Sequence, residues 1–371
     1  MTYNKTICIE IDRGIAQGAA PGIALCYGNE RGRLDSYVAG HARLLPTPLP
    51  LCEEALFDLA SLTKVLATTL IIMRLHERGG FPLDAPIGTL WPQAYSEALA
   101  QRTPRQLLAH CSGLPATHTF YPGENPESDN PHQRRRRVLE STRQLSLAYE
   151  PGTEARYSDL GPIILGELLE QISGLRLDRL FVEEVSAPLS IDDVFFVHQT
   201  DPLPHAVHAQ DAFVATEDCR WRQRIVQGQV HDENAYMLTG VAGHAGLFGA
   251  LRGIERIAQE LLRATTDTSS FLSQKTLELF TNRQTDLVDS SRALGWDTPS
   301  KNASCGVHFS PRSFGHTGFT GTSLWIDRTS NMYVILLANR IHPHRDNTNF
   351  LSFRRDLHDL IAVSPKQMAS S

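Results

Sequence analysis

Lysine is scarce in this 371-residue chain: of its 35 Lys and Arg residues only five, Lys5, Lys64, Lys275, Lys301 and Lys366, are lysine. Net positive charge is missing too. A formal charge of −6 leaves little for a nucleic-acid surface, so no nucleic-acid partner is expected. No uncharged apolar run approaches the roughly 20 residues that span a bilayer, so no membrane partner is expected. The opening MTYNKTICIEIDRG lacks the basic region, apolar core and cleavage site of a signal peptide. The six cysteines (Cys8, Cys26, Cys52, Cys111, Cys219, Cys305) form no CxxC pair or compact framework and read as reduced thiols. Together these features predict a cytoplasmic protein. No repeat, low-complexity segment or H-E-x-x-H spacing is present. His231, Asp232, Glu233 and His244, or His205-x-x-His208, make no convincing metal set, and no metal or cofactor is expected.

The elements that are present suggest one large two-lobed unit. Ile7, Ile11 and Ile15 recur every four residues, as in a helix, while Ile7, Ile9 and Ile11 also alternate as in a strand. Ile23–Tyr27 and Leu34–Ala39 read as strands joined by Asn-Glu-Arg-Gly. Ser323–Asp327 and Met332–Ala338 form a hairpin pattern, followed by a helix over Phe350–Ala362. Helical pieces cut by Pro/Gly loops fill the middle, among them Pro104–His110, Gly161–Ser173 and Ile254–Arg263. A basic run, Arg134–Arg137, falls between the loop Tyr121–Pro131 and a helix expected over Val138–Leu147, and reads as a solvated helix start. The expected fold is α/β (α+β): an antiparallel sheet flanked by helices, with an inserted, mostly helical lobe. One catalytic domain then spans residues 1–371, with an α/β lobe from about 1–80 and 295–371 and a helical lobe over about 81–294.

One lysine is out of place. Between Leu59 and Met73 every side chain is apolar or small except Lys64. An ammonium on an apolar helix is costly unless it is paired or its pKa shifts. Ser61 lies three residues earlier, on the same helical face. Such a lysine can take or relay the hydroxyl proton, and the free N–H groups of a helix start can hold an oxyanion. Two later motifs strengthen the pair: Tyr157-Ser158-Asp159 before a helix, and Gly315-His316-Thr317-Gly318 opening the C-terminal strands.

With Ala60–Lys64, Leu107–Leu114, Tyr157–Gly161 and Gly315–Asp327, the chain resembles the serine β-lactamase/penicillin-binding protein superfamily, in its class C-like branch. The resemblance implies that Ser61 is the acylated nucleophile and that Lys64 and Tyr157 handle the proton. It places the backbone N–H groups of Ser61 and Phe319 in the oxyanion hole. Asp159, His316, Thr317 and Gly318 would bind substrate. Two departures from the family pattern matter. Asp159 stands where Asn is usual, which would hold Lys64 protonated and shift the base role towards Tyr157 as a phenolate beside an ammonium. His316 replaces a lysine that holds a substrate carboxylate, so anionic β-lactams should be poor substrates at neutral pH.

The stretches Val230–Ala235 and Gly240–Phe248, the second rich in small residues, resemble the branch of cell-wall recycling N-acetylmuramoyl-L-alanine amidases and some D-Ala-D-Ala carboxypeptidase-like proteins. The expected activity is therefore a serine hydrolase acting through an acyl-enzyme on a small-molecule muropeptide. The alternatives are a carboxylesterase or acyltransferase, a D-Ala-D-Ala carboxypeptidase-like enzyme, and, from another class, an inactive ligand-binding module.

Overall fold

The apolar runs near the two ends of the chain pair with each other. A computed structural model describes residues 4–121, 130–203, 210–284 and 290–368. His205, His208 and most of the loop before Pro131 lie outside those residues. β1 (Gly22–Asn29) pairs antiparallel with β2 (Gly32–Arg43), which carries the short β3 (Leu49–Pro50). On its other side β1 pairs with β6 (Met332–Ala338), with Ile23 opposite Ala338 and Gly28 opposite Tyr333. β6 continues to β5 (Ser323–Asp327) and β4 (Phe314–Thr317), giving one six-stranded sheet in the order β3-β2-β1-β6-β5-β4.

Both faces of this sheet are covered, which explains why β6 is an unbroken apolar run rather than an alternating one. Val334 and Leu336 point to a cluster with Ile7, Ile11, Phe350, Leu357 and Ile361. These come from α1 (Lys5–Ala16) and the C-terminal helix Asn349–Met368. Ile335 and Leu337 point the other way, to the main core with Ile254, Ile257 and Leu261. The N-terminal ambiguity resolves as helix: Ile7 and Ile11 are buried while Ile9 is 67% exposed, so the four-residue period prevails.

Two expectations need correction. Helix Leu251–Ala264 falls within the stretch assigned to the helical lobe, yet it packs on β1 and β6, so the chain returns to the sheet well before residue 295. The Arg134–Arg137 run is a solvated helix start only in part: Arg136 and Arg137 are exposed, but Arg134 and Arg135 are not. The helix begins at Pro131, capped by the Asn130 side chain, and ends at Arg143. Arg134 is buried, its guanidinium 4.8 Å from the Tyr236 ring, and Arg135 pairs with Glu170 at 2.5 Å. Periodicity located the apolar residues of this helix but not the charged ones that its packing buries. Among the described residues no helix is long and apolar enough to cross a membrane, and all six cysteines are unpaired.

The C-terminal packing predicts a pH dependence of stability. His358 is fully buried, its Nδ1–H donating to the Arg354 carbonyl at 2.7 Å, and burial lowers its pKa from 6.5 to about 4. Burial lowers His342 to about 4 as well. The unfolded chain takes up protons near 6.5 while the folded chain does not, so this stability is full above that pH and is lost as pH falls towards 4. The urea midpoint should therefore be clearly lower at pH 5 than at pH 7.5, and His358→Gln should flatten that slope. Equal midpoints for the parent at the two pH values would contradict the assignment.

Candidate active site

Ser61 sits on a tight turn that other segments hold in place. Ala60, just before it, has φ 47°, a conformation unfavourable for a residue with a Cβ. The Ala60 N–H donates to the buried Asp58 carboxylate at 2.9 Å, whose other oxygen accepts the His231 N–H at 2.6 Å. Thr320 and Thr322 hydroxyls donate to the carbonyls of Asp58 and Leu59 at 2.7 and 3.1 Å. The loop after β4 is thereby bolted to the nucleophile turn. Gly318 permits this approach, because a Cβ there would lie 2.1 Å from Thr322 Oγ1. The helix following Ser61 is π-helical over Lys64–Thr69 before regular turns resume at Leu70–Glu77, a form that recurs at functional sites.

Lys64 is 2% exposed, and its ammonium has an acceptor for each of its three protons. It donates to Ser61 Oγ at 2.9 Å, to the His244 carbonyl at 3.0 Å and to Asp159 Oδ1 at 2.8 Å. Burial alone would push its pKa down, but Asp159 and the neighbouring Tyr157 oxygen outweigh that and hold it above the ordinary lysine value. Lys64 is thus an ammonium donating to Ser61, not a base accepting from it.

Tyr157 comes next to the pair from the segment leading into helix Leu160–Ser173. Its ring lies 5.2 Å from Lys64 Nζ, 4.9 Å from the Arg292 guanidinium, and 4.9 and 5.7 Å from the His110 and His316 rings. His110 is a buried scaffold residue: its Nδ1 accepts the Ser158 N–H at 3.1 Å, one residue beyond Tyr157. Burial, then Arg292 and Lys64, push the pKa of both His110 and His316 well below 6.5. His316 is therefore neutral, its Nδ1–H on the Thr317 carbonyl at 2.9 Å, and cannot replace a lysine's charge.

A cleft of about 550 Å³ opens over these groups, lined by Ser61, Tyr157, Asp159, His316, Thr317, Gly318 and Phe319. All the residues singled out in the sequence except the buried Lys64 thus share one wall or floor of the cleft, and Lys64 lies directly beneath. The backbone N–H groups of Ser61 and Phe319 donate to no acceptor among the described residues. The Phe319 side chain, 47% exposed, stacks on His231 at 5.8 Å. The arrangement can activate a hydroxyl and receive an oxyanion.

Arg292, Arg340 and Arg354, which sequence reasoning passed over, also line the cleft, as does Asp232, weighed there only as a metal ligand and as part of the Val230–Ala235 stretch. The stretches Val230–Ala235 and Gly240–Phe248 contribute to the cleft through His231, Asp232, Glu233 and Ala245. Their histidines each meet a carboxylate, His231 with Glu217 at 2.8 Å and His244 with Asp232 at 2.9 Å. Burial opposes the charged form of Asp232, yet His244 and the Ala235 amide hold its carboxyl well below the usual range. The small residues bring the His244 carbonyl down to Lys64: a Cβ on Gly243 would lie 2.0 Å from the Pro162 carbonyl oxygen. Gly243→Ala should therefore destabilise the fold by about 1–3 kcal/mol, read as a lower urea midpoint. An unchanged midpoint would show that helix Leu160–Ser173 gives way freely.

The profile of the Beta-lactamase family matches residues 10–355. An N-acetylmuramyl-L-alanine amidase of Bacillus subtilis (strain 168) is 31% identical over 362 residues, covering 90% of this chain and 80% of its own. A putative D-alanyl-D-alanine carboxypeptidase of Salmonella agona is 30% identical over 321 residues, covering 81% of this chain and 72% of its own. Among solved structures, EstCE1, a hydrolase with promiscuous acyltransferase activity, superposes with a TM-score of 0.72 at 19% identity, over 96% of this chain and 98% of its own.

Proposed function

We propose that this chain, which belongs to the Beta-lactamase family, is a serine amidohydrolase that cleaves small muropeptides through an acyl-enzyme on Ser61. The observation that carries the chemistry is the fully satisfied Lys64 ammonium, tied at once to Ser61 and Asp159 beneath a cleft with two free backbone amides. With Lys64 charged, Tyr157 takes the proton as Ser61 Oγ attacks the carbonyl carbon. The N–H groups of Ser61 and Phe319 hold the oxyanion; losing one such donor typically costs about a hundredfold or more in rate. Tyr157 returns the proton to the departing amine, and water then cleaves the ester on Ser61 by the same route in reverse. The choice of an amide substrate is supported by the similarity to the Bacillus subtilis amidase.

A second reading, D-alanyl-D-alanine carboxypeptidase, has nearly equal support from the Salmonella relative and uses the same acyl-enzyme. The two differ in the bond cut. Synthetic MurNAc-L-Ala-D-Glu, a D-Ala-D-Ala peptide, p-nitrophenyl acetate and nitrocefin should be compared by kcat/KM. Release of L-Ala-D-Glu should exceed nitrocefin turnover by at least about tenfold, because the neutral His316 offers no charge to a β-lactam carboxylate. Faster release of D-alanine than of L-Ala-D-Glu would replace the first reading with the second.

A further inference from the structure

Beyond Phe319 the cleft wall is formed by Arg340, Leu351 and Arg354. The two guanidiniums come from different elements, Arg340 from just past the end of β6 and Arg354 from the C-terminal helix. They are only 6% and 7% exposed. Buried arginines are expected to face a carboxylate, since the charge is otherwise costly to desolvate. Less covered arginines in this molecule do find carboxylates, Arg33 with Glu255 at 2.6 Å and Arg345 with Glu233 at 2.6 Å. The deeply buried Arg222, which does not line the cleft, instead donates to the His231 carbonyl at 3.0 Å.

Arg340 and Arg354 have no carboxylate partner among the described residues. Arg340 Nη1 donates to the Asn347 carbonyl at 2.6 Å, and its plane lies 4.7 Å over the Phe319 ring, which fixes the fork beside the oxyanion loop. Arg354 Nε is buried without an acceptor. Burial, and then repulsion from Arg340, lower Arg354 to about 10, which leaves it charged at neutral pH while showing that the two cations feel each other. A pair of like charges on one cleft wall, shielded from water and without a counter-ion, is unfavourable until an anion arrives. A planar fork of N–H donors matches a carboxylate in bidentate geometry. The carboxylates that line the cleft are engaged elsewhere: Asp159 with Lys64, Asp232 with His244, Glu233 with Arg345 and Asp297 with Arg292.

We propose that Arg340 and Arg354 together bind a free carboxylate of the substrate, so that the enzyme selects acyl donors whose peptide portion is acidic. The inference rests on the reading of the cleft as that of an acyl-enzyme hydrolase.

The test uses the full chain hydrolysing p-nitrophenyl butyrate at constant ionic strength, with glutarate and its uncharged diamide, glutaramide, as competitors. Glutarate should inhibit competitively at least about tenfold more tightly than glutaramide. Arg340→Gln and Arg354→Gln should each bring that ratio close to one, and Arg340→Lys should restore part of it. The parent measurement stands alone if a variant fails to fold. A parent that hydrolyses the ester but binds both competitors equally overturns the carboxylate site and leaves the hydrolase reading intact. So does a ratio that survives in both glutamine variants. A parent that binds glutarate selectively by calorimetry, yet cleaves neither ester nor muropeptide, overturns the hydrolase reading and leaves the carboxylate site standing.

Discussion

Ser61→Ala is expected to abolish covalent labelling by a fluorophosphonate probe and to lower kcat by about 10⁴-fold or more. The parent should gain one adduct in intact-mass spectrometry, on the peptide that contains Ser61. The basis is geometric. Ser61 Oγ accepts from an ammonium whose other two protons are already assigned, and it borders the cleft beside two unengaged amides. Among the described residues that line the cleft, Ser61 is the one serine, and it contacts the buried lysine. Labelling that persists in the alanine variant would remove Ser61 from the mechanism and the proposed function with it.

The second large effect lies in the division of labour among Lys64, Tyr157 and Asp159. An ammonium that donates to Ser61 cannot also receive its proton, so Tyr157→Phe should cut kcat by about 10²- to 10⁴-fold. KM should change little, because the lost proton transfer acts in the transition state. Asp159→Asn removes a negative charge 2.8 Å from Lys64 Nζ. Losing a negative charge there disfavours protons held close to it, so the deprotonation that activates Ser61 becomes easier. The sign is therefore fixed: the acidic limb of the kcat/KM profile should move to lower pH, by about one unit or more. The profiles of both variants on one chromogenic ester decide the matter. A Tyr157→Phe enzyme nearly as active as the parent would reduce the tyrosine to packing and make Lys64 the base. A limb that stays put or moves upward in Asp159→Asn would show that the aspartate does not govern the lysine.

How much of this was legible without coordinates varies by residue. Ser61 and Lys64 were legible because a three-residue helical spacing is a local property and because a lysine amid apolar neighbours is anomalous. The pairing of the two chain ends in one sheet was legible because both carry strand patterns that need partners. Asp159 was expected near Lys64 through its place in the tyrosine motif, and the structure puts it there. Helix Leu251–Ala264 was recognised as a helix but assigned to the wrong lobe, since periodicity identifies an apolar face and not the surface that will cover it.

The sequence by itself determined the nucleophile pair, the strand–helix composition and the order of the motifs, all consequences of spacing along the chain. Only the tertiary structure decided what surrounds them. The His244 contribution to Lys64 is a backbone carbonyl, which every residue possesses and no motif announces. That His316 would be neutral depended on burial and on Arg292, which lies 24 positions away in sequence. Arg340 and Arg354 were two among many arginines in the sequence. The proposal for them rests on the absence of a carboxylate partner among the described residues, and charge compensation is settled by packing in three dimensions rather than by order along the chain.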